Sequence, residues 1–493
     1  MTEEQTVTGE SAAPQHPRGA LDRFFKLSER RSTWGREVRG GFATFFALVY
    51  IVVLNPLILS APDGSGHTLG IPQVAAMTAV VSGVMTILMG IIARYPFALS
   101  AGLGVSGFVS ATIATTPHLT WPDVMGLVFL SGVIMFVLVL LGFREAVFRA
   151  VPSGLKIAIV AGIGLFIATI GFVNAGFVRR VPDSAHTSVP VSLGQGGTLI
   201  GWPTLVFVIG MVAMVILVVR KVRGGILIGI IGTTIFAMIV QAFTNTPAGS
   251  DKHPSGWSLT VPVLPTKIVS VPDLSLFGKI DIVGAFVHIG AIAAILLTFT
   301  ILLTVFFDAM GTMTGLASQG DLLDEDNNFV DANPVLLVDA AASAVGGFTS
   351  MSSGEIFVES AAGIGEGART GIASIVTGVL LLLISFFAPL AGVIPFEAVA
   401  PALVIVGFMM VAHVKDIDWS DIGIAIPAFF TIALMPLTYS ISNGLGAGFI
   451  AFALIRLVQG RAREVHVLMW IVAAAFVVFF AVGVIGQLSG ASV

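Results

Sequence analysis

Cysteine is absent from this chain, which excludes disulfides, thiol redox chemistry and cysteine-held metals. Charge is scarce: 11% of the residues are Asp, Glu, Lys or Arg, against roughly 25% in an ordinary soluble domain. No basic tract offers a footprint for nucleic acid, and none is expected as a partner. The eight His are scattered, at 16, 67, 118, 186, 253, 288, 413 and 466, with no His-x-x-x-His pair, so neither a metal site nor a bound cofactor is expected. No apolar core with a cleavage site precedes Gly40, and no cleaved signal peptide is expected.

What is present is apolar. The chain is 56% hydrophobic with a mean hydropathy of +0.99, and its 56 Gly and 23 Pro are residues that membrane helices tolerate well. The composition is that of an all-α polytopic membrane protein. Apolar runs of about 20 residues, enough to cross a bilayer, lie near 40–60, 73–93, 122–142, 153–177, 203–220, 224–244, 285–307, 371–393, 396–413, 420–438, 442–458 and 467–488. Two further regions are apolar but broken, 96–114 and 334–365. Counting the second as two short spans predicts fourteen crossings through Val458, followed by one extra apolar segment that either spans or re-enters.

Basic residues test this count, since Lys and Arg concentrate in cytoplasmic loops. With a polar tail over 1–35 in the cytoplasm, Arg94, Arg144, Arg149, Lys156, Arg220, Lys221, Arg223, Arg369, Lys415, Arg456, Arg461 and Arg463 fall on that side. The acidic turn Asp321–Asp326 falls there too, without basic compensation. The expected location is the cell (inner) membrane.

An internal echo recurs at an offset of 240–260. Ser100-Ala-Gly-Leu-Gly-Val resembles Ser360-Ala-Ala-Gly-Ile-Gly, and Val151-Pro152, followed by an apolar span, resembles Ile394-Pro395 followed by another; a looser match at a shorter offset links Arg223-Gly-Gly-Ile-Leu-Ile-Gly to Asn443-Gly-Leu-Gly-Ala-Gly-Phe. Seven spans per copy, an odd number, require the second copy to be inverted. Gly-interrupted segments in corresponding positions of two halves point to a transporter binding site.

Carboxylates in these segments are expensive at membrane depth and therefore functional candidates. Asp308 lies in an otherwise apolar span with no basic residue. Glu359 immediately precedes the second Gly-rich break, and Ser106 holds the matching place in the first. Broken helices present backbone N–H and C=O groups, so a polar planar ligand can be held by backbone on its edges and by a carboxylate on its ring N–H donors. Thr312, four residues after Asp308, shares its helical face. Glu355, one turn before Glu359, and Asp339, at the start of an Ala-rich span, are expected to support the site. Each has a bland alternative: a cap, a structural bond or a backbone-bonded hydroxyl.

At these residues the chain resembles nucleobase–cation symporter family 2, in its azaguanine-type hypoxanthine/adenine/guanine permease branch. The motifs are Gly41-Phe-Ala-Thr-Phe-Phe-Ala-Leu-Val-Tyr-Ile-Val-Val-Leu-Asn-Pro, Tyr95-Pro-Phe-Ala-Leu-Ser-Ala-Gly-Leu-Gly, Leu303-Thr-Val-Phe-Phe-Asp-Ala-Met-Gly-Thr and Val358-Glu-Ser-Ala-Ala-Gly-Ile-Gly-Glu-Gly-Ala-Arg-Thr-Gly. The resemblance implies fourteen spans in two inverted sevens, with short strand-like pieces in spans 3 and 10 at the substrate site. It implies a core domain (36–142 and 284–393) and a gate domain (143–283 and 394–460), with 461–493 as a C-terminal apolar segment. It places base binding and proton coupling on Asp308 and Glu359, a backbone contact on Val358, and Thr312 where uracil-transporting relatives carry His. The chain departs from the family at Ser106, where the permeases carry Asn, and at Glu355, an additional acid.

The expected activity is proton-coupled uptake of a purine base by alternating access. One of the two acids, its charge disfavoured by burial, takes a proton outside and releases it inside. The partners are then a purine nucleobase, protons and the lipid bilayer, with a homodimer compatible with the fold. Uracil, xanthine or another planar or anionic solute remains an alternative cargo. A remote alternative is an intramembrane serine protease, because Gly104-Val105-Ser106-Gly107 matches Gly-x-Ser-Gly and His288 or His413 would have to serve as the base.

Overall fold

Two stretches of extended backbone meet inside a bundle of apolar helices. Strand β1 (Leu99–Ala101) pairs antiparallel with β4 (Gly354–Ile356), in the register Leu99 with Ile356, Ser100 with Glu355 and Ala101 with Gly354. The pairing continues at both ends, through Gly102 N to Ser353 O at 2.8 Å and Phe357 N to Ala98 O at 2.9 Å. Each strand is followed at once by a helix, Leu103–Thr115 and Ser360–Gly365. Non-helical backbone at membrane depth must have its polar groups satisfied within the protein. Here the two strands satisfy each other, and side chains complete the set. Thr86 Oγ1 both accepts from Leu99 N (2.9 Å) and donates to Leu99 O (3.0 Å), and Ser360 Oγ accepts from Ala98 N at 2.9 Å.

The computed structural model describes residues 19–142, 151–180, 191–195, 197–222, 224–249, 253, 255–258, 260–264, 267–320, 322 and 332–489. Arg144, Arg149, Arg223 and, apart from Leu322, the acidic turn 321–326 lie outside the described residues, as do residues 1–18 of the predicted tail. Among the described residues eight helices are long and apolar enough to cross a membrane: Trp34–Ile58, Ile71–Ala93, Trp121–Leu140, Ser153–Asn174, Trp202–Val219, Gly225–Thr244, Gly371–Val393 and Phe396–Asp416. Shorter apolar helices accompany them at Leu103–Thr115, Ala291–Phe306, Asn333–Phe348, Ile422–Leu437, Asn443–Val458 and Val467–Val478. The protein is thus a mostly helical membrane protein. Strand character was expected at the two breaks alone, but a second antiparallel pair joins β2 (Val178–Arg180) to β3 (Val191–Leu193). That pair lies in a connection, where no periodicity across an apolar span announces it.

The helices pack in two groups. In one, Trp34–Leu48 and Ile71–Leu88 lie against Gly371–Ile384, and Trp121–Leu140 lies against Ala332–Phe348. In the other, Ser153–Asn174 packs on Phe396–Val411 and Ile422–Leu437, which in turn packs on Ile441–Val458. Contacts between the groups run through Leu103–Thr115 against Ser153–Asn174 and through Ala291–Gln319 against Ile441–Val458.

Glycines set one seam of the first group. Gly83 and Gly90 on one helix face Gly378 and Gly371 on its neighbour. A Cβ on Gly378 would stand 2.6 Å from the Gly83 carbonyl oxygen, and one on Gly371 would collide with the Gly90 backbone. The seven-residue interval is two helical turns on both helices, so the glycines align in pairs along an antiparallel crossing. Lipid provides no hydrophobic drive for such a contact, which depends on close backbone approach.

A polar junction joins the first group to the broken segments. Asn55, fully buried, donates from Nδ2 to Thr78 Oγ1 and to Met351 O, both at 2.9 Å, and accepts from Ser106 Oγ at 2.7 Å. Both its donors and its acceptor are used, as a buried amide requires.

Two outcomes are expected from thermal unfolding in detergent. Gly371→Val should lower the unfolding temperature by several degrees or abolish folding, whereas Gly232→Ala, where a Cβ meets nothing within 4 Å, should be neutral or gain up to about 1 kcal/mol of helix propensity. Asn55→Ala strands three buried partners, each costing about 1–3 kcal/mol when left unpaired, and should destabilise far more than Thr78→Val, which removes one.

Candidate functional site

A cavity of about 210 Å³ opens where the paired strands meet the second helix group. It is smaller than the roughly 300–1,000 Å³ of pockets for drug-sized ligands and suits a compact solute. Its wall is built from both strand-to-helix junctions (Gly102, Leu103 and Gly104 from the first, Glu355 through Glu359 from the second). Asp308 and Thr312 enter from the long helix Ala291–Gln319, and the second group closes the cavity with apolar side chains such as Ile163, Val406 and Met410.

Five of the seven site residues expected from sequence line this cavity: Asp308, Thr312, Glu355, Val358 and Glu359. The two junctions come together because antiparallel pairing sets Glu355 opposite Ser100 and lays its carboxyl against Gly102, although more than 250 positions separate the two strands in the chain. Asp339 stands behind β4. Its Oδ1 accepts from Ile356 N at 3.0 Å, which pins the strand, while Oδ2 has no hydrogen-bond partner among the described residues. Ser106 is placed differently. It is fully buried, does not line the cavity and donates its hydroxyl proton to Asn55. The Gly-x-Ser-Gly reading fails on the same contact, since neither His288 nor His413 is the partner of Ser106: His288 Nδ1 lies 2.8 Å from Asp123 Oδ2, and His413 stands on the cavity wall.

Glu359 is oriented by a residue not singled out from sequence. Tyr50 Oη donates to Glu359 Oε1 at 2.5 Å. A tyrosine inside an apolar run, in a chain with three tyrosines, was the signal available, but its partner is 309 positions away. Val358 is 57% exposed and lines the cavity. Glu355 is 2% exposed. Its carboxyl packs so closely on Gly102 that any Cβ at 102 would collide with it, and it is in hydrogen-bonding contact with the carboxyl of Asp308.

Chemically, the cavity offers carboxyl oxygens on one side, strand-end backbone groups between them, and an apolar face opposite. That pattern holds a flat solute with N–H donors on its edge. Among the described residues, no Lys or Arg lines the wall.

Comparison with known proteins agrees with this chemistry. Residues 35–446 match the profile of a family described as "Permease family". The chain is 36% identical over 466 residues to the guanine/hypoxanthine permease PbuG of Bacillus subtilis (strain 168), covering 93% of this chain and 98% of that protein. It is 32% identical over 461 residues to the adenine permease AdeP of Escherichia coli (strain K12), covering 93% and 95%. Among solved structures, the transmembrane domain of the cyanobacterium bicarbonate transporter BicA superimposes with a TM-score of 0.55 at 16% identity, covering 84% of this chain and 98% of that one. That likeness concerns the fold alone. Together the matches over nearly the whole length make this chain a member of the nucleobase/ascorbate transporter family of permeases, a multi-pass membrane transporter and not an enzyme.

Proposed function

We propose that the chain takes up purine nucleobases together with protons by alternating access, with hypoxanthine, guanine and adenine as the candidate cargoes. The observation that carries the reading is the placement of Asp308 and Glu359 around one small cavity, with the strand-end backbone of Val358 between them. A purine edge carries N–H donors beside ring-nitrogen or carbonyl acceptors, and this wall answers both. The printed names of the relatives, guanine/hypoxanthine and adenine permeases, support the same cargo class.

In this reading the first packing group with the paired strands is the core (36–142 and 284–393). The second group is the gate (143–283 and 394–460), in a fourteen-span inverted repeat with the N-terminus in the cytoplasm. The few contacts that join the groups support a core that moves as a body, carrying the cavity from one side of the membrane to the other. The cell (inner) membrane is where a proton gradient would drive it. Asp308 and Glu359 bind the base, and protonation of one of them couples its passage to the gradient. An anionic cargo, as in the bicarbonate transporter of like fold, would meet three carboxyl groups and no cation.

The test is uptake of radiolabelled hypoxanthine into proteoliposomes under an imposed pH gradient. Wild type should accumulate the base, and Glu359→Gln should lose gradient-driven accumulation; full accumulation by that variant would remove Glu359 from its role. A panel of unlabelled purines and pyrimidines competing with the label ranks the cargoes. Tyr50→Phe removes the donor that orients Glu359 and should raise the KM for the base several-fold at unchanged expression, read in the same vesicles.

A further inference from the structure

Among the cavity's acids, Glu355 is the one for which the family resemblance gives no role. It sits on β4 opposite Ser100, 2% exposed, pressed against Gly102 and in hydrogen-bonding contact with the Asp308 carboxyl. No N–H or O–H of the described residues reaches its Oε1. Two carboxyl groups make such a contact only when one of them carries a proton, because an ionised carboxylate is an acceptor alone.

Among the described residues no Lys or Arg lines the cavity to neutralise the pair. Asp339 faces it from the helix Ala332–Phe348 and adds an acid, not a base. Glu359 is paired with Tyr50, and Ser353 is a neutral donor. From the helices Leu103–Thr115 and Ser153–Asn174 the wall receives Leu103, Gly104, Val160 and Ile163. His413, beyond the end of Phe396–Val411, is the remaining titratable group on the wall.

We propose that Glu355 and Asp308 form a carboxyl dyad that holds one proton, and that Glu355, by keeping this proton, makes base binding at Asp308 pH-dependent in this chain. The proposal rests on the purine-transport reading. With the proton on Glu355, Asp308 is an ionised acceptor for a ring N–H. Without it, two adjacent anions repel each other and the pair cannot keep this geometry. Coupling is then a property of two acids on two elements, one of them outside the family's own pair.

The test is calorimetric binding of adenine and of hypoxanthine to the purified full-length protein, from mildly acidic to mildly alkaline pH. Wild-type affinity should fall by about tenfold per pH unit once the dyad loses its proton, the slope of one linked proton. Glu355→Gln keeps a neutral donor beside Asp308 at every pH and should flatten that limb; the base's own ionisation is common to both proteins. The same limb in both would overturn the proposal, as would an affinity that follows sodium, on its exchange for choline, in place of pH. Should the variant misfold, infrared difference spectra of the wild type decide: a protonated-carboxyl band perturbed by adenine supports the dyad, and its absence overturns it. If no purine binds at any pH the transport reading fails, and the dyad is judged by the same band in a base-free pH titration.

Discussion

Everything at the centre of this molecule depends on six residues of backbone pairing, Leu99–Ala101 with Gly354–Ile356. Extended chain inside a membrane protein has no water to complete its hydrogen bonds, and an orphaned peptide group there costs several kcal/mol. Each break is therefore tolerable only because the other exists. The pairing fixes their register, and the register determines which side chains reach the cavity. A slip by one residue would turn Glu355 away from Asp308 and expose a neighbour in its place.

A second tier of polar contacts keeps the pairing in position. Asp339 holds the amide of Ile356, Thr86 holds both backbone groups of Leu99, and Asn55 ties Thr78, Ser106 and the carbonyl of Met351 together. Tyr50 performs the corresponding service for Glu359. None of these groups carries a full positive charge. The site is ordered by neutral donors, and among the described residues its carboxyl groups form no ion pair. One of the molecule's ion pairs, Arg456 with Asp421 at 2.7 Å, lies at the N-terminal end of a helix in the other packing group. There the guanidinium's hydrogen bond holds the Asp421 carboxyl below the usual carboxylate range.

Much of this was legible before any coordinates. The membrane class follows from composition, and the breaks at 96–114 and 334–365 from glycines and serines interrupting apolar runs. Asp308, Thr312, Glu355, Val358 and Glu359 line one cavity; the three acids stood out because charge in an apolar span is costly, and the other two by their place beside them in the chain. What was hidden has a common cause, namely pairing between distant residues. Ser106 reads as a cavity residue from its place in the first break, yet its hydroxyl serves Asn55, 51 positions away. Tyr50 stood out only as a tyrosine in an apolar run, and the roles of both Tyr50 and Gly102 come from carboxyl groups about 250–310 positions away, at Glu359 and Glu355. The strands β2 and β3 lie in a connection with no periodicity to betray them.

The contact between Gly102 and the Glu355 carboxyl has a consequence for how such a site can change. Because any side chain at 102 would occupy the space of that carboxyl, the two positions form a single trait divided between two distant codons. A side chain at 102 would oblige the Glu355 carboxyl to leave its present place, and with it the contact to Asp308. In this chain the glycine and the acid are therefore linked, and a redesign of the cavity wall does best to alter both positions together.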